Sequence, residues 1–412
     1  ASSAASDVYK RQAKVLRAYN YYELYTKFGD VPYTTKVLSI KESMSIARTA
    51  KATVIANVLA DLDEVINGNY LPTSYDADNK GRITRWAAMA IKAKIYLFEG
   101  NWTQVKNITS TIMTEGGFKL FGSYAGLFEI ANEYNSEVIL DAQYRPTSRE
   151  HQMMYVFLPP TLGGYSQLSP LQELVDSYIM LDGKTIKETG TSFDESHPYA
   201  NRDPRLKATV MYTGNSYTLA DGTEVVINCE KGEGKDGYGV GSDCSATGYY
   251  IKKYWDNTYR ATLYSGLNPI LIRYADILLM NAEALAELGE LDKTAWDATI
   301  KPIRDRAGFT LASALEFPEG ASKDKLIEIV RNERRSELAL EGHRHKDIIR
   351  WRIADNVLNG WCHGLKTNDV VGTDDGYVRV ENRTFNANKH YLWPIPQAER
   401  DLNGNLEQNP NW

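Results

Sequence analysis

The sequence predicts a mostly α-helical protein in which pairs of helices form a scaffold around a loop-rich insertion with a few short strands. Two observations support this fold class: apolar residues recur at helical spacing over several long stretches, and a helix–turn–helix pattern occurs twice. A third is the glycine-rich and proline-rich character of the residues between the two copies. The 412 residues, 43% of them hydrophobic, are ample for a large core in two or three lobes.

The N-terminal part contains three stretches with the apolar periodicity of amphipathic helices. They lie at residues 13–28, 46–66 and 85–99. Gly29 ends the first stretch. Thr84 suits the start of the third, because its hydroxyl can accept a hydrogen bond from an N–H group of the first turn. Gly100 and a further helix to Met113 follow, so this region predicts a helix pair of tetratricopeptide character.

A second helix pair is expected at residues 272–305, where Gly289 and Leu291 occupy the positions of Gly100 and Trp102. The residues between the two pairs differ in composition and predict other elements. These are a strand at 136–144, a short helix at 171–178, and a hairpin of 207–217 with 223–228, which turns at an Asp-Gly pair.

We therefore divide the chain into four parts. They are an N-terminal helical scaffold (1–117), a variable insertion with the candidate ligand face (118–268), a C-terminal helical scaffold (269–360) and an irregular tail packed on the scaffold (361–412). The segment 391–412 is rich in Pro and Asn, which predicts neither a helix nor a central strand but a segment held down by its aromatic residues. Residues 1–12 carry neither a signal peptide nor a lipobox cysteine, and we expect a truncated or non-native start.

The stretch 326–351 predicts one helix with two carboxylates on its apolar face. Val330 and Leu340 share that face with Glu333 and Glu337. A desolvated carboxylate is costly without a partner, so we expect a structural ion network. The arginines expected to supply it are Arg273, Arg304, Arg306 and Arg334. The alternative is an acid/base pair, although catalytic carboxylates of that kind flank a substrate in a cleft.

Charge and hydropathy exclude several classes of partner. The chain has 47 basic and 53 acidic residues and a net charge of −6, with no long basic run. Nucleic acid and anionic membrane surfaces are therefore poor partners. No stretch approaches 18 consecutive apolar residues, so no membrane-spanning helix is predicted.

No metal or cofactor is expected. His343 and His345 are two residues apart and cannot chelate as a pair four residues apart on a helix would. No P-loop, dinucleotide fingerprint or nucleophile triad is present. Cys229 and Cys244 lie in one Gly-rich loop, and the sequence leaves open whether they pair.

Seven stretches in order, spread over essentially the whole chain, resemble the SusD/RagB family of outer-membrane glycan-binding lipoproteins. They are LRAYNYYELYTKFGDVPYT, NSEVILDAQY, the Asp-Pro-Arg at 203–205, IRYADILLMNAEALAELG, IRDRAGF, RNERRSELALEGHRHKDIIRW and YLWPIPQAERDLNGNLEQNPNW. The resemblance implies helix pairs of the tetratricopeptide kind and a variable insertion that carries the ligand surface. It also implies a non-enzymatic protein on the outer face of the outer membrane. Such a protein captures oligosaccharide for a SusC-like TonB-dependent transporter, and its membrane attachment is a lipid anchor absent from this chain.

Aromatic residues are the expected ligand platforms, since a ring can stack on the C–H face of a sugar while polar groups bind the hydroxyls. The 27 Tyr and eight Trp far outnumber the ten Phe. The best source is the segment 248–264, in which aromatic residues stand among polar ones. The candidates, in order, are Trp255, Tyr259, Tyr250, Tyr254, Tyr165, Tyr155, Tyr217 and Tyr212. The alternative for each is packing in the core. At the level of function, the alternatives are a helical glycoside hydrolase and a protein-binding helical scaffold.

Overall fold

α-Helices dominate the computed structural model, which describes residues 3–258 and 264–412, and the predicted fold class is confirmed. The helices are α1 (Ser3–Phe28), α2 (Ile40–Ser43), α3 (Lys51–Asn67), α4 (Arg85–Phe98), α5 (Trp102–Glu115), α6 (Met153–Phe157), α7 (Gln172–Val175), α8 (Pro204–Thr209), α9 (Tyr274–Leu288), α10 (Lys293–Ala307), α11 (Ala312–Leu315), α12 (Lys323–Glu337), α13 (Arg344–Arg350), α14 (Ala354–Val357) and α15 (Gln397–Leu402). The strands are β1 (Val138–Asp141), β2 (Val210–Met211), β3 (Ser216–Thr218), β4 (Glu224–Val226), β5 (Tyr250–Ile251), β6 (Ile270–Arg273), β7 (Gly360–Lys366), β8 (Thr373–Asp374) and β9 (Tyr377–Arg383).

The chain forms two units, each built from segments that are distant in sequence. The first unit comprises Ala1–Gly117, Arg344–Asn359 and Thr384–Trp412, and the second comprises Phe118–His343 and Gly360–Arg383. These units are defined by contacts within the chain. The four-part division made from the sequence, which also assigns a ligand face, stays a prediction.

In the first unit, α3 packs against both α1 and α4, and α4 pairs with α5. Helix α4 begins where predicted, because the Thr84 hydroxyl accepts a hydrogen bond from the Ala87 N–H at 3.2 Å. Helix α3 begins at Lys51, later than predicted, because Thr49 pairs with Val31 in an isolated β-bridge. The predicted N-terminal helix pair is therefore present as α4 and α5.

The C-terminal tail is held on the first unit by aromatic and amide side chains. The backbone N–H of Trp393 donates to the Lys27 carbonyl at 2.7 Å. The Trp393 ring packs edge-on against Phe28, with the ring centroids 6.0 Å apart. The Asn409 amide donates to the carbonyls of Phe28 and Trp393. The prediction that this tail holds no helix is wrong. Helix α15 starts directly after Pro396, where the missing N–H of proline costs nothing.

In the second unit, α9 follows β6 without a break and packs against both α10 and α12. Helices α9 and α10 are the second predicted pair. The predicted strand near residue 140 is β1, which pairs antiparallel with β6. The predicted hairpin is present as β3 and β4, but residues 204–209 before it are helical. Asp203 and Pro204 start that helix, because the Asp203 carboxylate accepts a hydrogen bond from the Arg205 N–H at 2.9 Å.

The predicted single helix over residues 326–351 is wrong, because the chain leaves the helix after Glu337. Leu340 and Gly342 have φ values of +63° and +79°, which a right-handed helix does not accommodate. Gly342 adopts this conformation without a Cβ clash. Leu340 is 38% exposed and is not part of an apolar face. The break allows the Glu341 carboxylate to reach Arg273 at 2.8 Å.

Residues 360–383 form a three-stranded antiparallel sheet, whereas an irregular tail was predicted for 361–412. The strand order is β7-β9-β8, and Gly360 lies opposite Arg383 at one end. The register shifts at Cys362 and His363, so the side chains of β7 do not alternate regularly between core and solvent. Because of this irregularity, β7 lacks the period-two alternation from which a strand is predicted.

Glu337 is fully buried in the second unit and surrounded by arginines, as predicted. Its carboxylate lies 2.6 Å from the guanidinium of Arg273 and 2.8 Å from that of Arg205, and it also pairs with Arg306. Burial by itself would raise the pKa of Glu337, but the three guanidinium groups lower it well below its ordinary value. The carboxylate is therefore held ionised in the core.

Glu333 is buried one helical turn earlier and lies 2.7 Å from both Arg304 and Arg205. Arg334, which was expected in the same network, pairs with Asp276 at 2.6 Å. Arg205 is the buried arginine that binds both glutamates, and sequence reasoning left it out. These ion pairs connect α8, α10 and α12, so they fix how the helices of the second unit meet.

Candidate functional site

The second unit contains an open cleft with a volume of about 880 Å³. Four stretches that are distant in sequence supply most of its walls. They are residues 193–200, 212–214, 229–233 and 365–369. The lining is completed by Gln172, Gly248, Tyr249 and Tyr377, so the cleft combines the insertion with the sheet of β7 to β9.

The walls of the cleft carry several half-buried aromatic rings. Tyr199 and Tyr212 are stacked, with ring centroids 4.0 Å apart and an interplanar angle of 17°. The Tyr377 ring lies 5.4 Å from the ammonium group of Lys366. The Phe193 ring lies 5.5 Å from the buried guanidinium of a nearby arginine. A ligand in the cleft therefore meets flat apolar surfaces whose positions are set by packing.

A chain of hydrogen bonds fixes the orientation of Tyr199. Its hydroxyl lies 3.2 Å from the hydroxyl of Tyr249, which donates to the side-chain oxygen of Gln172 at 2.5 Å. Gln172 in turn donates to Asp176 at 2.7 Å. Burial raises the pKa of Tyr199 to about 12, so its hydroxyl stays protonated at neutral pH. The ring is thus a neutral, oriented platform with a polar edge.

Two glycines allow β7 to approach the segment that carries Tyr249. A Cβ on Gly248 would lie 1.7 Å from the Leu365 side chain, and Gly248 has a φ of +73°. A Cβ on Gly364 would lie 2.6 Å from the Thr247 carbonyl oxygen. The Leu365 N–H donates to that same oxygen at 2.7 Å. Both glycines are required by this close contact, which brings the sheet to the cleft.

The rim of the cleft is polar and carries both signs of charge. Lys366 lies 2.9 Å from Glu195, and Lys231 pairs with Asp369. The hydrogen bond to Glu195 raises the pKa of Lys366, and the hydrogen bond from Lys231 lowers the pKa of Asp369. Lys366 and Asp369 therefore stay charged at neutral pH. Polar groups around apolar rings suit a ligand that has hydroxyls on its edge and an apolar face.

Three of the predicted platform residues are buried, which corrects their assignment as ligand platforms. Tyr250, Tyr254 and Tyr217 belong to the core of the second unit, as does Tyr249. The Tyr250 hydroxyl donates to the Asp236 carbonyl at 2.6 Å, and that of Tyr217 donates to a strand carbonyl at 2.7 Å. The structure uses these rings for packing, because a buried ring has no free face for a ligand.

Other predicted platforms keep some exposure. Trp255 is half-buried: its indole N–H donates to the Thr218 carbonyl at 2.7 Å, and its ring packs against Tyr217. Tyr155 and Tyr165 form a tilted pair with centroids 4.4 Å apart, and Tyr165 is 40% exposed. Tyr259 lies outside the residues that the structure describes.

Among the predicted platforms, Tyr212 lines the cleft, whereas Phe193, Tyr199 and Tyr377 were missed. Tyr199 opens the segment YANRDPR, which sequence reasoning treated only as a polar turn. Tyr377 follows an Asp-Gly pair and begins an alternating stretch, which is a strand signal. Cys229, which also lines the cleft, and Cys244 are both free thiols.

Comparison with known proteins assigns the family. Residues 127–412 match the SusD family, and the chain belongs to it. Residues 2–97 match a family described as starch-binding and associating with the outer membrane. Within the described residues, helices that are both long enough and apolar enough to cross a bilayer are absent.

Individual relatives are similar over most of this chain. SusD-like protein P25 of Formosa agariphila is 28% identical over 371 residues, which are 84% of this chain and 64% of that protein. The chain thus spans less than two thirds of that relative. A SusD-like carbohydrate binding protein of Bacteroides fragilis has a TM-score of 0.87 and 29% identity, covering 99% of this chain and 81% of its own. A laminarin binding SusD-like protein has a TM-score of 0.67 at 23% identity, and the match covers 100% of this chain and 80% of that one. This likeness shows the shared fold.

Proposed function

We propose that the protein binds oligosaccharide without chemically altering it and delivers it to a SusC-like TonB-dependent transporter at the bacterial outer surface. The observation that carries the ligand class is the cleft of the second unit, where Tyr199, Tyr212 and Tyr377 offer apolar faces among charged and polar groups. Sugars present apolar C–H faces and polar rims, so they match this arrangement.

The relatives support the same ligand class. The Bacteroides fragilis protein is named as carbohydrate binding, and a more distant structural neighbour is named as laminarin binding. The family matched by residues 2–97 is described as starch-binding and as associating with the outer membrane. The transporter partner and attachment through a lipid anchor on the full-length protein are inferred from the resemblance to the SusD/RagB family.

A glycoside hydrolase is the weaker alternative. Its carboxylates would have to flank a bound sugar in a cleft. Glu333 and Glu337 are buried, and both are bound by Arg205. Arginine contacts lower the pKa of Glu337 well below its ordinary value, which leaves it no proton to donate near neutral pH. The contacts of Glu333 and Glu337 therefore favour a structural ion network over an acid/base pair.

Affinity electrophoresis tests the proposal. The protein should be retarded in gels containing at least one polysaccharide from a panel of laminarin, starch, galactomannan and xyloglucan. Tyr199→Ala and Tyr377→Ala should each reduce that retardation by about tenfold or more, since a stacked ring contributes on the order of 1 kcal/mol or more. Trp412→Ala is the matched control, because it removes an exposed ring from the first unit. Circular dichroism should show all three variants folded.

The same gels separate the alternatives. Loss of retardation in Trp255→Ala or Tyr165→Ala, with Tyr199→Ala unaffected, would place the ligand face at those rings outside the cleft. Absence of retardation in every gel would favour a protein-binding scaffold. Co-purification of the tagged full-length protein with a TonB-dependent transporter from outer membranes tests the delivery step, and recovery of the protein alone would count against it.

A further inference from the structure

The lysines of the cleft are already neutralised by carboxylates of the protein. Lys366 lies 2.9 Å from Glu195, and Lys231 pairs with Asp369. All four residues line the cleft. An anionic group on a ligand would have to share either lysine with a carboxylate that is attached to the same cavity and needs no association entropy to stay there.

The remaining charges of the lining are also unfavourable to an anion. Glu230 and Glu233 are exposed on the 229–233 wall. His197 lies 2.9 Å from the Asp194 carboxylate. The lining therefore holds two lysines against the carboxylates of Glu195, Glu230, Glu233 and Asp369.

A buried arginine beside Phe193 of the cleft lining does not change this balance for a ligand. Arg202 is 6% exposed, and its guanidinium donates to the carbonyls of Val175, Tyr178 and Pro198 at distances between 2.7 and 3.3 Å. Its Nε, Nη1 and Nη2 atoms all donate to the backbone, and the Phe193 ring lies 5.5 Å from the guanidinium. A carboxylate or sulfate in the cleft would thus face like charges without a free cationic partner.

We infer that the cleft accepts oligosaccharides that carry no carboxylate or sulfate groups and discriminates against anionic ones. This inference rests on the proposed glycan-binding function and names the substrate class of the same site. Its physical basis is negative selection: apolar rings and polar groups attract any sugar, and the fixed carboxylates repel the anionic members of the class.

The test compares each neutral polysaccharide of the panel with its own carboxymethylated derivative, so that backbone and linkage stay the same. The apparent affinity of the wild-type protein, taken from its retardation, should be at least about tenfold higher for the neutral form. The double variant Glu195→Gln with Asp369→Asn frees both lysines and removes two negative charges. The ratio of neutral to carboxymethylated retardation should fall by about tenfold or more in that variant.

Glu316→Gln is the control, because it breaks a carboxylate–lysine pair with Lys301 that lies outside the cleft lining. Its ratio should match the wild type. Equal or stronger retardation of wild type by the carboxymethylated form would overturn the inference while leaving glycan binding intact. An unchanged ratio in the double variant would also overturn it, because the selectivity would then arise elsewhere. Absence of retardation by every polysaccharide would overturn the proposed function and the inference together.

Discussion

Glu337 shows at the scale of a single residue how a buried charge is kept in this fold. We predict that Glu337→Gln lowers the free energy of unfolding by about 3–5 kcal/mol at pH 7, because a carboxylate that contacts all three buried arginines is neutralised and their positive charge loses one of its counterions. Glu328→Gln is the control. Glu328 lies on the same helix but is exposed, and its pair with Lys325 is worth under about 1 kcal/mol. Urea denaturation of both variants measures the difference.

The sign of the pH dependence follows from the lowered pKa of Glu337. A carboxyl group whose folded-state pKa lies below its ordinary value of 4.5 stabilises the protein above that value. The stabilisation is lost as the pH falls towards the folded-state pKa. The difference in the free energy of unfolding between wild type and Glu337→Gln should therefore become smaller below pH 4.5. A gap that stays constant from pH 7 to pH 3 would show that the carboxylate is not held ionised by the arginines.

Lys253 is a second buried charge, and we predict a smaller penalty for its removal. Its ammonium group donates to Glu341 at 2.6 Å, to the Ala339 carbonyl at 2.8 Å and to the Tyr124 hydroxyl at 2.9 Å. Glu341 keeps two contacts with Arg273 at 2.8 Å when the lysine is gone. Lys253→Met should thus cost about 1–3 kcal/mol, less than Glu337→Gln. An equal or larger loss in urea denaturation would contradict this ranking.

The pH dependence of Lys253 has the same direction as that of Glu337 but falls in an alkaline window. Burial lowers the pKa of Lys253 from 10.5 to about 8, so the unfolded chain binds a proton that the folded chain releases between these values. The free energy of unfolding of wild type should therefore rise relative to Lys253→Met above pH 8. The slope should be at most about 1.4 kcal/mol per pH unit. Urea denaturation at pH 7 and pH 9.5 checks the sign, and a relative fall would refute the burial argument.

At the scale of elements, the close approach of β7 to the Tyr249 segment depends on Gly248. We predict that Gly248→Ala costs about 3 kcal/mol, because the new Cβ is strained at φ +73° and also collides with Leu365. Gly234→Ala is the matched control. Gly234 has a φ of +60° and open space around it, so only the backbone strain of about 1 kcal/mol applies. Equal losses in thermal or urea unfolding would mean that the contact with Leu365 relaxes freely.

The long helices could be predicted from the sequence because their signals are local. Apolar spacing and the Thr84 cap locate α4, and the same spacing locates α9. The strand β7 could not be found in this way, because its register shifts and its glycines, such as Gly364, remove the alternation. The break after Glu337 was missed because the charged residues around it are good helix formers, and Gly342 alone gives little warning.

At the scale of the whole molecule, the family could be identified from seven short stretches, but the cleft could not be located. Its aromatic lining comes from positions as far apart as Phe193 and Tyr377, and only long-range contacts bring them together. The first platforms expected came from the dense aromatic segment 248–264, where the density of rings reflects packing: Tyr250 and Tyr254 fill the core. Local composition thus identified a region rich in rings without distinguishing core rings from surface rings.

The whole molecule should bind polysaccharide and leave it intact. The protein is incubated with the polysaccharide that retards it most strongly in the gels. Newly formed reducing ends are then measured over a day at pH 5, 6 and 7. We expect release no greater than in buffer, because Glu333 and Glu337 are buried and committed to arginines such as Arg205. Release that disappears in a folded Glu337→Gln variant would instead establish a hydrolase. Release that persists in that variant would place catalytic carboxylates elsewhere, with the rim residues Glu230 and Glu233 as the first to be replaced.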